Sequence, residues 1–419
     1  MNKNDYGDYM KSFWIWLDKS NKQDEFADFV DFFDSDGSGE YTAEISASGD
    51  YIMYVNGKLA SFGQYRDYPH YKVKDTLDIT DFVKNGKNTV KIIAWHTGVK
   101  CFTFATEKSG VRYEIKKNGT AVAVSDEKTL CRKDKGYISG KCESITPQLG
   151  LNYHYDASAD DEWISCDVAC GFATATVVDG YGDCVDRPVK KLVTLSLLEG
   201  KKVGEGEFKY VTDTQRLSVK MTEAVMAEKV ENADGKYYVY DLGEEECGYL
   251  YLDINAKEVA KIDVSYGERL ENGRVPASID MRNFTFDYTA KKGKQTFVGY
   301  FRSRVSYART VRARVLRGLP VARTVFLQYG QQIADALRLL CVRRIRNGAR
   351  DARTYVKGSQ KGRVYALMLP RKSRFAHTVF QSCFLRAGLR ISLLLERRRF
   401  RKRQTSSSYE SCGKVYRKA

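Results

Sequence analysis

Between Ser48 and Leu59 the chain reads SGDYIMYVNGKL, in which Tyr51, Met53 and Val55 alternate with Ile52 and Tyr54. A period of two sends successive side chains to opposite faces of a strand, and Asn56-Gly57 supplies the positive φ angles of a tight hairpin turn. The stretch predicts a central hairpin of a β-sandwich. A second frame, LDITDFVKNGKNTVKIIAW, predicts a short turn of helix, another Asn-Gly turn at Asn85-Gly86 and an alternating strand from Thr89 to Trp95.

The same reading extends in both directions. FWIWLD sets Phe13, Ile15 and Leu17 against Trp14 and Trp16, which predicts a strand packed on both faces. DEFADFVDFFD, from Asp24 to Asp34, stays ambiguous, because Phe26, Phe29, Val30 and Phe33 also fit one face of a helix. A third Asn-Gly turn at Asn118-Gly119 adds to the signal for antiparallel sheet. Asp186-Arg187-Pro188 marks a domain boundary, since Pro cannot donate to a central ladder. YYVYDLG, YLYLDINA, KIDVSYGE and QTFVGYF then predict strands of a second β-rich unit, with a fourth Asn-Gly turn in LENGR.

Beyond Arg302 the alternation is expected to fade. IADALRLLCVRRI places Ile333, Leu337, Leu340, Cys341 and Ile345 on one helical face. The predicted fold class is all-β, with two consecutive antiparallel β-sandwich, jelly-roll-like domains at residues 13–187 and 188–302. An N-terminal extension (1–12) precedes them, and a basic tail (303–419), disordered or weakly helical, follows.

Composition sharpens that boundary. With 419 residues and 43% hydrophobic content, the chain can hold two or three cores. Its net charge of +16 is uneven: residues 1–300 carry 39 Lys+Arg against 49 Asp+Glu, and residues 301–419 carry 30 against 4. The basic residue changes as well, from 8 Arg and 31 Lys to 24 Arg and 6 Lys. A swing that begins inside a strand pattern is what a shifted reading frame produces, so residues after about Arg302 are expected to be out-of-frame translation.

Location follows from what the chain lacks. No apolar run behind a basic start suggests a secretory signal, and no stretch reaches the roughly 18 apolar residues of a membrane helix. Ten scattered cysteines then read as reduced thiols, and the expected location is cytoplasmic, with no membrane partner.

Candidate chemistry is sparse. Glu244-Glu245-Glu246 is the densest acidic cluster, but neighbours on a strand or turn point apart, and hydrolysis needs carboxyls facing across a pocket. A solvated turn is the favoured reading. His154, Cys166, Cys170 and Cys184 form the one group with metal-like residue types, yet their spacing departs from zinc sites, so no metal is expected. Phosphate loops and nucleophile elbows are absent, and no cofactor is implied.

Tyr51, Tyr54, Tyr65, Tyr68 and His70, with Arg66 and Asp67, make an aromatic and polar patch around the first hairpin. Aromatic faces flanked by hydrogen-bonding groups suit a sugar ring, apolar across its face and polar at its rim. Packing in a core accounts for alternate tyrosines equally well. Arg397 to Arg403, RRRFRKR, would suit a nucleic acid, although an artefact of translation is preferred there.

The succession DYIMYVNG, LDITDFVKNGKNTVKIIAW, ITPQLG, ATVVDGYGDCVDRPVKKL, YDLGEEECGYLYLDI, VSYGERLENGRV and FVGYFR resembles the N-terminal half of bacterial α-L-rhamnosidases of glycoside hydrolase family 78, over about residues 13–302. The resemblance implies two β-sandwiches, the first similar to carbohydrate-binding modules, ahead of an (α/α)6 barrel and a C-terminal β-domain. In the family the barrel carries the acid and base glutamates for inverting hydrolysis of terminal α-L-rhamnose.

None of the barrel's motifs appears, so no catalytic residue carries over. Twelve helices of ordinary length would need roughly 130 residues, more than the 117 that follow Arg302. The expectation is a truncated α-L-rhamnosidase-like protein, inactive alone, whose partner is a rhamnose-containing glycan or glycoside. The alternatives are a non-catalytic carbohydrate-binding sandwich and nucleic-acid binding through the tail, the latter not favoured.

Overall fold

The computed structural model describes residues 11–301 apart from short breaks at 103, 106, 141–142, 147, 167–169, 192–196, 217–218, 268–269, 271–272, 274, 276–277 and 280–281, and then 304–313, 323–327, 352–360 and 363–370. Among the described residues the regular structure is strand with two single turns of 3-10 helix. One of these, Thr80–Phe82, is the predicted turn within LDITDFV.

The first sandwich pairs a seven-stranded and a six-stranded sheet. Its seven-stranded sheet runs in the order Thr176–Val177, Ile15–Trp16, Val111–Lys117, Tyr41–Ala47, Val73–Asp78, Val185–Asp186, with Thr120–Val124 on the flank of Val111–Lys117. The six-stranded sheet runs Ala173–Thr174, Leu130–Lys133, Glu25–Ser35, Gly86–His96, Asp50–Val55, Lys58–Gly63. The hairpin read from SGDYIMYVNGKL is present, but it closes one edge of its sheet and does not sit at the centre.

Its turn has the φ angles the sequence demands, 51° at Asn56 and 73° at Gly57. Asn56 is also tied down at distance: its Nδ2 donates to Phe82 O (2.8 Å) and Asn88 Oδ1 (2.7 Å), and its Oδ1 accepts from Thr89 N (3.0 Å). The residues on either side of the second Asn-Gly site therefore buttress the first turn.

The ambiguous segment is a strand, Glu25–Ser35, 11 residues long. Its helix-like spacing has a simple origin. Phe29 and Phe33 face the interior of the first sandwich, whereas Phe26 and Val30 face the other way, so two faces of period two merge into apparent threes and fours.

That division holds across the whole six-stranded sheet. Ala27, Phe29, Tyr51, Met53, Val55, Val90, Ile92 and Ala94 pack against Ile15, Trp16, Ala43, Ile45, Val111, Tyr113 and Ile115 of the facing sheet. Phe26, Val30, Ile52, Ile93 and Trp95 pack instead in one continuous cluster with Leu250, Leu252, Ile254, Phe286, Tyr288, Phe297 and Phe301. Burying both faces of a sheet explains why both alternating sets are apolar. It also makes the two sandwiches share a core.

The second sandwich has a seven-stranded sheet in the order His154–Asp156, Phe286–Ala290, Ala260–Gly267, Arg304–Ala313, Gly235–Gly248, Lys201–Arg216, Val219–Ala227. A four-stranded sheet runs Leu197–Glu199, Arg323–Leu327, Leu250–Ala256, Gly293–Val298. The pairings are antiparallel except at two edges, where His154–Asp156 runs parallel to Phe286–Ala290 and Val185–Asp186 parallel to Val73–Asp78.

Three observations redraw the expected boundaries. His154–Asp156, from before residue 187, joins the second sandwich. Arg304–Ala313 pairs on both sides within the same sandwich, and Arg323–Leu327 pairs with Leu250–Ala256. Alternation thus continues past Arg302, through Val305, Tyr307 and Val311, which the Arg-rich composition obscured. Further on, Ala352–Gln360 and Arg363–Pro370 form an antiparallel hairpin in a unit of their own. The expected helix at Ile333–Ile345 and the run Arg397–Arg403 lie outside the described residues.

Candidate functional site

The patch read around the first hairpin separates into buried and exposed groups. Tyr51 is 0% exposed, and its hydroxyl donates to Asp75 Oδ2 at 2.5 Å, so no ligand can reach it. Burial, with the Asp75 carboxylate beside it, pushes that phenol well above its ordinary range. Tyr54 points to the opposite face and packs against the cluster shared by the two sandwiches. Alternation on a doubly covered strand encloses Tyr51 and leaves Tyr54 half-buried against that cluster. Both depart from the expected sugar-contacting role.

The remaining residues belong to the loop between Lys58–Gly63 and Val73–Asp78. Asp67 is the anchor: its Oδ1 pairs with Lys72 Nζ (2.9 Å), and its Oδ2 accepts from Val73 N (2.8 Å) and Gln64 Nε2 (3.1 Å). Lys72 is buried and also reaches Glu107 Oε2 at 3.1 Å and Ala47 O at 3.1 Å. Burial is the larger influence on Glu107 and pushes its carboxyl up in spite of the Lys72 ammonium. A buried charge left without partners is costly, so this knot fixes the loop's path.

On that anchored loop the aromatics face outward. Tyr68 is 60% and Tyr71 49% exposed, joined to each other by a backbone bridge, and the Tyr68 and His70 rings stack at 5.6 Å with 22° between planes. The Arg66 guanidinium lies 3.9 Å from the Phe104 ring centre and 2.9 Å from Asp50 Oδ2. Tyr65 lies under the Arg187 guanidinium, 5.1 Å away. The result is a rim of aromatic faces edged by a guanidinium, an imidazole and phenol hydroxyls. Such a surface can stack on the apolar face of a ring and hydrogen-bond its edge.

Four described residues of this rim escaped the sequence reading. Phe104, Asp50 and Glu107 reach the loop only through the fold, and no spacing in the sequence brings Phe104 to Arg66. Lys72 gave the one local hint, as a cation inside a loop otherwise read for its tyrosines.

The two further candidates disperse. His154 Nδ1 pairs with Asp287 Oδ2 at 3.0 Å, Cys166 and Cys170 are exposed, and Cys184 lies beside Ser46 on the first sandwich. Among the described residues no group of three or more His, Cys, Asp or Glu side chains is placed to hold a metal. Glu244-Glu245-Glu246 falls within the strand Gly235–Gly248, where the pairing register with Arg304–Ala313 shifts between Asp241 and Glu246. No helix among the described residues is long and apolar enough to cross a membrane.

No family model matches the chain, and no curated protein matches it in sequence. Its architecture does have solved counterparts. A GH78 family rhamnosidase of Bacillus sp. GL1 superposes with a TM-score of 0.59 at 14% identity, over 77% of this chain and 55% of its own. The α-L-rhamnosidase of Streptomyces avermitilis, solved with L-rhamnose, gives 0.55 at 14% identity over 80% and 30%.

The fold is shared with family 78 α-L-rhamnosidases.

A third member, from Dictyoglumus thermophilum, agrees at a TM-score of 0.54 and 14% identity, over 75% of this chain and 35% of that one. The likeness is one of fold, and it accords with the two sandwiches expected from the ordered motifs. The chain spans between 30% and 55% of the length of these rhamnosidases. Within the shared fold, the anchored loop Gln64–Lys72 is the surface where exposed aromatic and polar groups converge.

Proposed function

We propose that this chain is a rhamnosidase-related protein whose paired sandwiches bind rhamnose-containing glycosides without cleaving them, through the rim Arg66, Tyr68, His70 and Tyr71. The carrying observation is the fold match, which takes in most of this chain and only part of each rhamnosidase. The rim supports it chemically. A rhamnose ring has a methyl group and axial hydrogens on its apolar face, suited to the Tyr68–His70 stack, and hydroxyls suited to Arg66. The carboxylates beside the rim are committed, Asp67 to Lys72 and two amide donors and Asp50 to Arg66 and Gln64 N, so neither is free to act as acid or base.

Incubation with an aryl α-L-rhamnoside tests the reading. Binding without release of the aryl group is the expected result, and sustained turnover would overturn it.

The change in residue usage at about Arg302 supports a second element of the proposal, that the residues beyond it are translated out of frame. Strand pairing as far as Leu327 is compatible with it, since a shifted frame that retains alternation can still complete a sheet. Nucleotide sequence around codon 302 decides the matter, and an intact frame encoding the same tail in related isolates would refute it.

A further inference from the structure

A separate cleft opens on the outward face of the seven-stranded sheet of the first sandwich. It encloses about 320 Å³, at the lower end of the range for small-ligand sites. Glu44 and Ser46 come from Tyr41–Ala47, Arg112, Glu114 and Lys116 from Val111–Lys117, and Lys74 from Val73–Asp78. Asp183 and Cys184 close one side.

The chemistry of the lining is unusual for an outer sheet face. Glu44 and Glu114 stand directly opposite one another across the ladder, an arrangement that like charges disfavour. One ammonium resolves it: Lys116 Nζ lies 2.8 Å from Glu44 Oε1 and 3.1 Å from Glu114 Oε2. Lys74 Nζ meets the other Glu44 oxygen at 2.7 Å, and Ser12 Oγ, itself 2.8 Å from Arg112 Nε, donates to Glu114 Oε1 at 2.5 Å. These side chains are only about a fifth to a quarter exposed, so the network is held in place and not splayed into solvent.

Two carboxylates bridged by one ammonium can be no more than about 6 Å apart, a separation that in a glycosidase would suit hydrolysis. Here it does not. Burial alone would raise both groups, yet the hydrogen bonds from Lys116, Lys74 and Ser12 outweigh it and hold both below the usual carboxylate range. Both are held in the charged form, so neither carboxyl is suited to serve as a glycosidase's general acid.

What it can do is bind. Glu44, Glu114, Lys74 and Lys116 are matched among themselves, so an ionic ligand would have to break an existing pair to reach any of them. A ring bearing several hydroxyls can instead donate to the unused carboxylate lone pairs and accept from the unused ammonium and guanidinium protons, leaving each pair intact. We propose that this cleft is a second ligand site, specific for an uncharged polyhydroxy ring held by Glu44, Glu114, Lys74 and Lys116. The inference stands on the cleft's own charge pairing and does not depend on the aromatic rim.

Ligand-observed NMR titration of the full chain with three uncharged pyranoses, L-rhamnose, D-glucose and D-galactose, tests it, with D-glucuronate as the charged counterpart. At least one uncharged sugar should still bind saturably to the Tyr68→Ala chain, in which the rim is already weakened, and Glu44→Gln in that background should weaken it about tenfold, as expected for a hydrogen bond to a charged group. D-glucuronate should bind more weakly. Lys74→Met, read beside a melting curve, serves if Glu44→Gln does not fold. Failure of all three sugars, or equal or tighter binding of D-glucuronate, overturns the proposal. Loss on Tyr68→Ala with no effect of Glu44→Gln overturns it too, while leaving the rim reading intact.

Discussion

Tyr51 and Tyr54 stand on opposite faces of one strand, the first enclosed and the second half-buried, whereas Tyr68 and Tyr71, joined by a backbone bridge across a turn, are both well exposed. The first two owe their burial to a sheet covered on both sides, by its own partner sheet and by the second sandwich. The loop pair owes its exposure to a charge knot, Asp67 with Lys72 and Glu107, that fixes the turn without covering it. Identical residue types thus serve stability in one place and a surface in the other. What separates them is whether the backbone beneath is a doubly covered strand or an anchored loop.

Removing the buried member should be the most damaging change. Tyr51→Ala deletes a fully enclosed ring and leaves Asp75 without one of its donors, and a loss of about 3–5 kcal/mol is expected. Chemical denaturation measures it, and a loss under about 1 kcal/mol would break the distinction between core and rim.

The shared core gives the next test. Phe301 is buried edge-on to Phe26, Trp95 and Tyr137, at ring-centre distances of 5.5, 5.8 and 4.9 Å, where the two sandwiches meet. Phe301→Ala should cost about 3 kcal/mol, and it should separate the unfolding of the sandwiches into two transitions. A single transition of undiminished midpoint would contradict a common core.

A titration gives a third, somewhat smaller effect. Asp31 occupies an inward position of Glu25–Ser35, and burial pushes its carboxyl up to about 6, in spite of hydrogen bonds from Phe32 N (2.8 Å) and the Tyr113 hydroxyl (2.9 Å). A carboxyl whose folded value lies above its unfolded value favours the fold while protonated, so its contribution is present at low pH and lost as pH rises from about 4 to about 6. Asp28, paired with Arg132 at 3.0 Å, and Asp134 are both raised chiefly by burial and act in the same sense. Asp31→Asn should remove about 2 kcal/mol of that slope, read from melting temperatures across the window. An unchanged profile would show that the acid is solvated.

Changes at the rim should be the mildest for stability. Arg66→Ala breaks a cation–π contact and a partly exposed ion pair, with an expected loss of at most about 1 kcal/mol. Its effect should appear in glycoside binding and hardly at all in the melting curve.

Much of this architecture was legible in the residues. Alternation and Asn-Gly turns located the strands of both sandwiches, and the φ angles at Asn56, Gly57, Asn118 and Gly119 follow from turn chemistry. Glu25–Ser35 stayed ambiguous because a strand buried on both faces loses the polar half of its pattern and mimics a helix. The domain limits slipped because strand exchange across a boundary, as at His154–Asp156 and Arg304–Ala313, leaves no local mark. For the rim, residue type was readable and orientation was not: Tyr54 and Tyr68 look alike until the second sandwich covers one of them. Glu44 and Glu114 lie far apart in sequence, and only the strand register sets them face to face.

The central claim is that recognition sits on the anchored loop while the alternating tyrosines pack. Calorimetric titration of methyl α-L-rhamnoside into the Tyr68→Ala variant tests it most directly, because the substitution removes one exposed ring and disturbs no core contact. Affinity about tenfold below that of the unaltered protein, with an unchanged melting temperature, is the predicted result. Binding as tight as before would contradict the account.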